Sequence, residues 1–161
     1  MAQGDMFFKI ESARQGPIKG EAQDENHKDE IDVNDWSWGM QAKTTLSGGG
    51  ASPKATLNEL SIVKQVDSAS TGLMSAMRNN ELIQKAVLTV RKAGGDPHEY
   101  FKITIEKGRI TSLDVDTSNF VSSGYLSERL SLAFQKISVE YVPQGREGLP
   151  QGSMLFDAEI S

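Results

Sequence analysis

The chain has 161 residues, enough for one domain with a sizeable core, and is 37% hydrophobic with 15 glycines, a balance that suits a β-rich protein with long loops. A formal net charge of −5 with scattered Lys and Arg argues against nucleic-acid binding. The absence of cysteine excludes disulfides, thiolate metal sites and Cys nucleophiles, and no apolar run approaches the ~20 residues of a membrane span.

Along the chain the pattern is mostly strand. The N-terminus, "MAQGDMFFKIES", lacks a basic n-region and a long apolar h-region, so synthesis in the cytoplasm without a cleaved signal peptide is expected. "MFFKIE" (6–11) reads as a strand, followed closely by a "RQGP" turn (14–17). "EIDVNDWSWGM" (30–40) reads as a long strand with a parity conflict. Ile31 and Val33 are odd-numbered, whereas Trp36, Trp38 and Met40 are even, so a bulge or a strand break is expected near Asn34–Asp35. Side chains on a strand alternate, which puts Trp36 and Trp38 on a heavy buried face and Ser37 alone on the other.

"LNELSIVKQV" (57–66) and "AVLTVRK" (86–92) are strands rich in branched residues. "EYFKITIEKGRITSLDVDTS" (99–118) reads as a hairpin turning at Lys107-Gly108. "ERLSLAFQKISVEYV" (128–142) is a strand with a second parity break, so a bulge is expected at Gln135–Lys136. "GSMLFDAEI" (152–160) reads as a closing strand. One helix is predicted over 68–80, with Leu73, Met74 and Met77 as its apolar stripe, a start capped by Ser68, Ser70 or Thr71, and Asn79-Asn80 at its end. "AKTTLSGGGASPKA" (42–55) is a long exposed loop and "RKAGGDP" (91–97) a tight corner.

No catalytic constellation emerges. The acids and His27 within "DENHKDEIDVND" (24–35) fail the calcium-loop pattern, since its sixth and twelfth positions hold Asp29 and Asp35, and they read as a solvated strand face. Ser37, His27 and Asp35 lack any nucleophile elbow. "SGGGASPK" (47–54) lacks the ending of a phosphate loop, and His98 is expected to be exposed in its turn.

The stretches "DMFFKI" (5–10), "IKGEAQDENHKDEIDVNDWSWGM" (18–40), "LTVRKAGG" (88–95) and "LSLAFQKISVEYVPQ" (130–144) strongly resemble the Hcp family, the hemolysin-coregulated proteins of type VI secretion. The resemblance covers nearly the whole chain; "ESARQGP" (11–17) departs from it by its greater length. It implies one domain over 1–161, mainly β, folded as a two-sheet antiparallel β-barrel with one flanking α-helix and a long extended loop. It further implies six-copy rings that stack into a tube, tipped by a VgrG-type spike and propelled by a contractile sheath. Small effector proteins ride in the lumen of that tube, and the subunit is secreted with them; no catalysis, cofactor or metal is implied. The serine matching Ser37 faces the lumen in effector-carrying members. Ser47, Gly48, Gly49 and Gly50 in the long loop and Gly94 and Gly95 in the corner are expected on the ring rims, mediating stacking. A monomeric β-barrel binding a small apolar ligand is the alternative, opposed by the many large side chains that would fill its interior. A small hydrolase using Ser37 is a third.

Overall fold

The computed structural model describes residues 5–42, 55–92, 98–143 and 152–160. Among these the elements, numbered in chain order, begin with β1 (Met6–Ser12), β2 (Gly16–Pro17), β3 (Ile31–Asp32), β4 (Asp35–Ser37), β5 (Met40–Gln41), β6 (Thr56–Leu57) and β7 (Leu60–Gln65). Then come α1 (Ser70–Arg78), β8 (Ile83–Arg91), β9 (Glu99–Asp116), α2 (Phe120–Ser123), β10 (Ser127–Ala133), β11 (Lys136–Tyr141) and β12 (Met154–Glu159).

All the pairings are antiparallel. One sheet runs from β2 and β3 through β1, β8 and the first half of β9 to β11 and β12. A second holds the second half of β9, then β10, β7 and β4, and β5 pairs with β6 apart from both. The predicted hairpin at 99–118 is therefore wrong. β9 is one strand of 18 residues that pairs with β8 as far as Gly108 and with β10 from Arg109 onward. Lys107 takes a left-handed φ of 54°, and the Gln135 N–H donates to both the Glu106 and Lys107 carbonyls at 3.2 Å. The residues read as a turn instead bend a continuous strand, in the manner of a bulge.

The parity breaks have the same origin. Near Asn34–Asp35 the chain leaves β3, paired to β1, and enters β4, paired to β7. At Phe134–Gln135 it leaves β10 in the second sheet and enters β11 in the first. Both are strand breaks where the chain changes sheet; the bulge expected at Gln135–Lys136 is replaced by this switch. The side chains face one core throughout, with Phe8, Leu88 and Ile103 from the first sheet meeting Leu60, Ile62 and Leu132 from the second.

α1 and its N-cap Ala69 cover that core, with Ala69, Leu73 and Ala76 spaced i, i+4 and i+7. Met74 and Met77, expected in the stripe, are 40% and 36% exposed. No serine or threonine caps its start; Asp67 Oδ1 accepts the Ala69 N–H while Ser70 Oγ accepts the Asp67 N–H. α2, a single turn, lies outside the predicted elements, so the described residues hold two helices rather than one. Nor do the described residues close a barrel: β4 and β12 each pair on one side only.

Gly108 is fixed by the bend, because a Cβ there would lie 2.7 Å from the Ala133 carbonyl oxygen. Gly108→Ala should cost about 1–3 kcal/mol as a backbone overpacking. Gly152→Ala, with nothing within 4 Å, should stay within about 0.5 kcal/mol. Urea midpoints of the two variants decide this; equal midpoints would show that the bend tolerates a side chain.

Candidate functional site

Ser37 ends β4, an edge strand of the second sheet. Asn34 donates to the Val63 carbonyl at 2.8 Å and Trp36 N–H to Asp35 Oδ1 at 3.0 Å, which seats the strand after its change of sheet. Trp36 stacks on Phe101 with ring centroids 5.6 Å apart, and both tryptophans pack against the core while remaining half-buried. Ser37 is exposed on the opposite face.

Register extends that position across the whole sheet. Ser37 pairs with Ser61 on β7, Ser61 with Ser131 on β10, and Ser131 with Ser112 on β9. Ser61 and Ser131 bring their Oγ atoms to 3.4 Å, and Thr111 donates to Glu59 and to the Ser131 carbonyl. A shallow cavity of about 430 Å³ opens here, lined by Ser37, Trp38, Asn58, Glu59, Ser61 and Ser131. Sequence reading stopped at Ser37, yet the signal was present. Leu60-Ser61-Ile62 and Leu130-Ser131-Leu132 place a serine between core residues as "WSW" does, whereas Ser112 follows the exposed Thr111 and lacks that pattern.

The structure does not bring His27 to Ser37. Its ring nitrogens face Glu30 at 3.0 Å and Glu99 at 2.6 Å, and the ring stacks on Phe7 at 4.4 Å. The Arg91 guanidinium lies 5.0 Å from the Phe7 centroid and pairs with Asp24 at 2.6 Å. The Asn26 backbone N–H and Arg91 hold the Asp24 carboxyl below its usual range. Part of the acidic stretch read as solvated thus clamps a buried column. His98 is half-buried rather than exposed, with Nε2 3.0 Å from the Val142 carbonyl. Among the described residues no group of His, Asp and Glu could hold a metal, and no helix is long and apolar enough to cross a membrane. Ser47, Gly48, Gly49, Gly50, Gly94 and Gly95 lie outside the described residues.

The family model described as "Type VI secretion system effector, Hcp" matches residues 7–141. The chain belongs to the Hcp family. It is 37% identical over 151 residues to Protein hcp1 of Pseudomonas aeruginosa, covering 92% of this chain and 89% of that one. A crystal structure of a type VI secretion system effector from Yersinia pestis superposes with a TM-score of 0.76 at 28% identity, over 97% of this chain and 100% of that one. Hcp1 from Salmonella typhimurium gives 0.75 at 26% identity, over 99% and 95%. Hcp proteins are structural components of type VI secretion, and this chain is a subunit of its tube.

Behind the serine face lies a buried pair. Lys64 and Glu128, register partners on β7 and β10, are both 0% exposed and meet at 2.7 Å, with Asp67 and Ser70 completing the lysine's contacts. Lys64→Met should cost about 3–5 kcal/mol by stranding the carboxylate, and adding Glu128→Leu should restore most of it. Thermal unfolding of the single and double variants checks the sign; a double variant as weak as the single would refute the pairing argument.

Proposed function

We propose that the chain, as one domain over 1–161, forms six-copy rings that stack into the type VI tube, with the serine face of the second sheet turned to the lumen. The family's two-sheet barrel belongs to this reading, each chain supplying two sheets joined along β9. Small effector proteins travel against that face, a VgrG-type spike tips the tube, and a contractile sheath drives it from the cytoplasm without a cleaved signal peptide. The role is transport and not catalysis.

One observation carries the reading: the hydroxyl row crosses all four strands of the second sheet, from Ser37 on the β4 edge to Ser112 on β9. A wall of small polar groups suits varied cargo, because exposed apolar area would hold proteins by the hydrophobic effect. The apolar-ligand alternative is disfavoured, since Leu60, Ile62, Leu88 and Ile103 fill the space between the sheets at 0% exposure. Stacking by the loop around Ser47–Gly50 and the corner at Gly94–Gly95 remains part of the proposal.

Replacing Ser37 with Gln adds one bulky group per subunit to the wall and leaves Trp36 and Trp38 in place. As an exposed substitution it should change stability by no more than about 0.5 kcal/mol, so rings should still assemble. Cargo co-purification and cargo secretion should fall. Unchanged rings with unchanged cargo would sink the lumen role of Ser37. A lower melting temperature with broken rings would show a packing role instead.

A further inference from the structure

The cavity beside the serine row holds more than hydroxyls. Around about 430 Å³ it gathers Ser37, Ser61 and Ser131 with the Asn58 amide, the Glu59 carboxylate and the Trp38 side chain. Glu59 immediately precedes β7, and by alternation with the buried Leu60 it turns outward on the serine side. Thr111 donates to Glu59 Oε1, yet among the described residues no Lys, Arg or His pairs with this carboxylate. Trp38 brings a second open group, since its Nε1 is buried and has no hydrogen-bond partner among the described residues.

Charge and donor balance say what kind of group fits there. Positions of the same parity on this face carry Asp35, Asp114 and Asp116 besides Glu59, against Arg109 and Arg129. Asp116 takes up Arg129 at 3.6 Å, whereas Asp35 and Asp114 have no cationic partner among the described residues. The surroundings of the cavity are therefore acidic, and a concave site concentrates that field. A wall of one carboxylate, one amide and three hydroxyls is rich in acceptors and suits a group that only donates. The guanidinium of arginine donates in a fixed planar fork, sheds water more readily than an ammonium and stacks on an indole face. The peptide that carries it also brings carbonyls, the acceptors that Trp38 Nε1 lacks.

We propose that this cavity receives an arginine side chain of the cargo protein, with Glu59 as the residue that selects it. The proposal rests on the lumen reading of the serine face and adds a preference to it. The hydroxyl row gives the wall its tolerance, and the cavity gives it one point of recognition per subunit. Each contact is weak because the cavity is shallow, and repetition around a ring multiplies it for a cargo with several arginines.

The probe is the peptide acetyl-Ser-Arg-Ser-amide, with its citrulline counterpart as an uncharged match of the same shape. The chain has two tryptophans, so the Trp38 indole N–H is a resolved NMR signal in the full chain, and Trp36→Phe assigns it. The arginine peptide should move this signal saturably in the millimolar range, and the citrulline peptide should bind about fivefold more weakly. Glu59→Gln should weaken the arginine peptide about fivefold and leave the citrulline peptide unchanged. Asp114→Asn, which removes an acid from the same face outside the cavity, should change binding less than about twofold. Equal binding of the two peptides, or no saturable shift, would overturn the proposal. So would wild-type binding by Glu59→Gln, or an equal loss in Asp114→Asn, which would reduce the effect to general charge. Should Glu59→Gln fail to fold, the two peptides on the wild-type chain decide. A failed peptide test beside cargo loss in Ser37→Gln overturns this proposal alone and leaves the lumen reading intact. Unchanged cargo in Ser37→Gln overturns both.

Discussion

At Lys107–Gly108 the backbone of β9 leaves one sheet and enters the other without breaking, and hydrogen bonds on both flanks hold the bend. Ile83 pairs opposite Gly108 on one side, while the Gln135 N–H reaches two β9 carbonyls on the other. The rest of the fold is arranged around this shared strand. β8 and β11 flank its first half, β10 lies against its second, and the chain between β10 and β11 must turn where β9 turns. Without a glycine at the closest approach the Ala133 carbonyl could not come so near, and the two sheets would splay.

This geometry explains which parts of the fold were legible. Alternation within a strand depends only on neighbouring residues, so β1, β8, β12 and the opposed faces of Trp36 and Ser37 could be read directly. The parity breaks marked the places where something irregular happens. They could not say whether a strand bulges or changes sheet, because both repair the same alternation. Lys107-Gly108 misled for a related reason: left-handed backbone and a missing Cβ serve a hairpin turn and a bent strand equally well. In α1, Ala69 and Ala76 proved to be core while two methionines stayed outside, so side-chain size was a poor guide where the helix sits close to the sheet.

Partnerships between distant residues were the least legible. His27 meets Glu99 across 72 positions, and Lys64 meets Glu128 across 64. Nothing local announces such a pair, and a lone acid on a strand reads as solvated until its partner arrives. Breaking Lys64–Glu128 leaves a charge in a site with 0% exposure, which makes that pair a constraint on the fold rather than a candidate for chemistry. The serine row was legible in part, since it repeats one local pattern on three of its four strands. Seeing it as a row required register, which only the folded chain supplies.

The two sheets thus differ in what they leave unpaired. The outer face of the second is hydroxyl-bearing, and Ser37, Ser61 and Ser131 there each sit between residues that point the other way into the core. Its chemistry can change with little effect on packing, because alternation separates the two faces. The inner face of the first is apolar beyond its own cover, so its chemistry cannot change without altering what it packs against. β9 belongs to both, with Phe101 in the row that runs through Tyr141 to Met154 and Ser112 in the hydroxyl row. A tolerant hydroxyl face and a demanding apolar face thus sit within one short chain, held apart by strand parity.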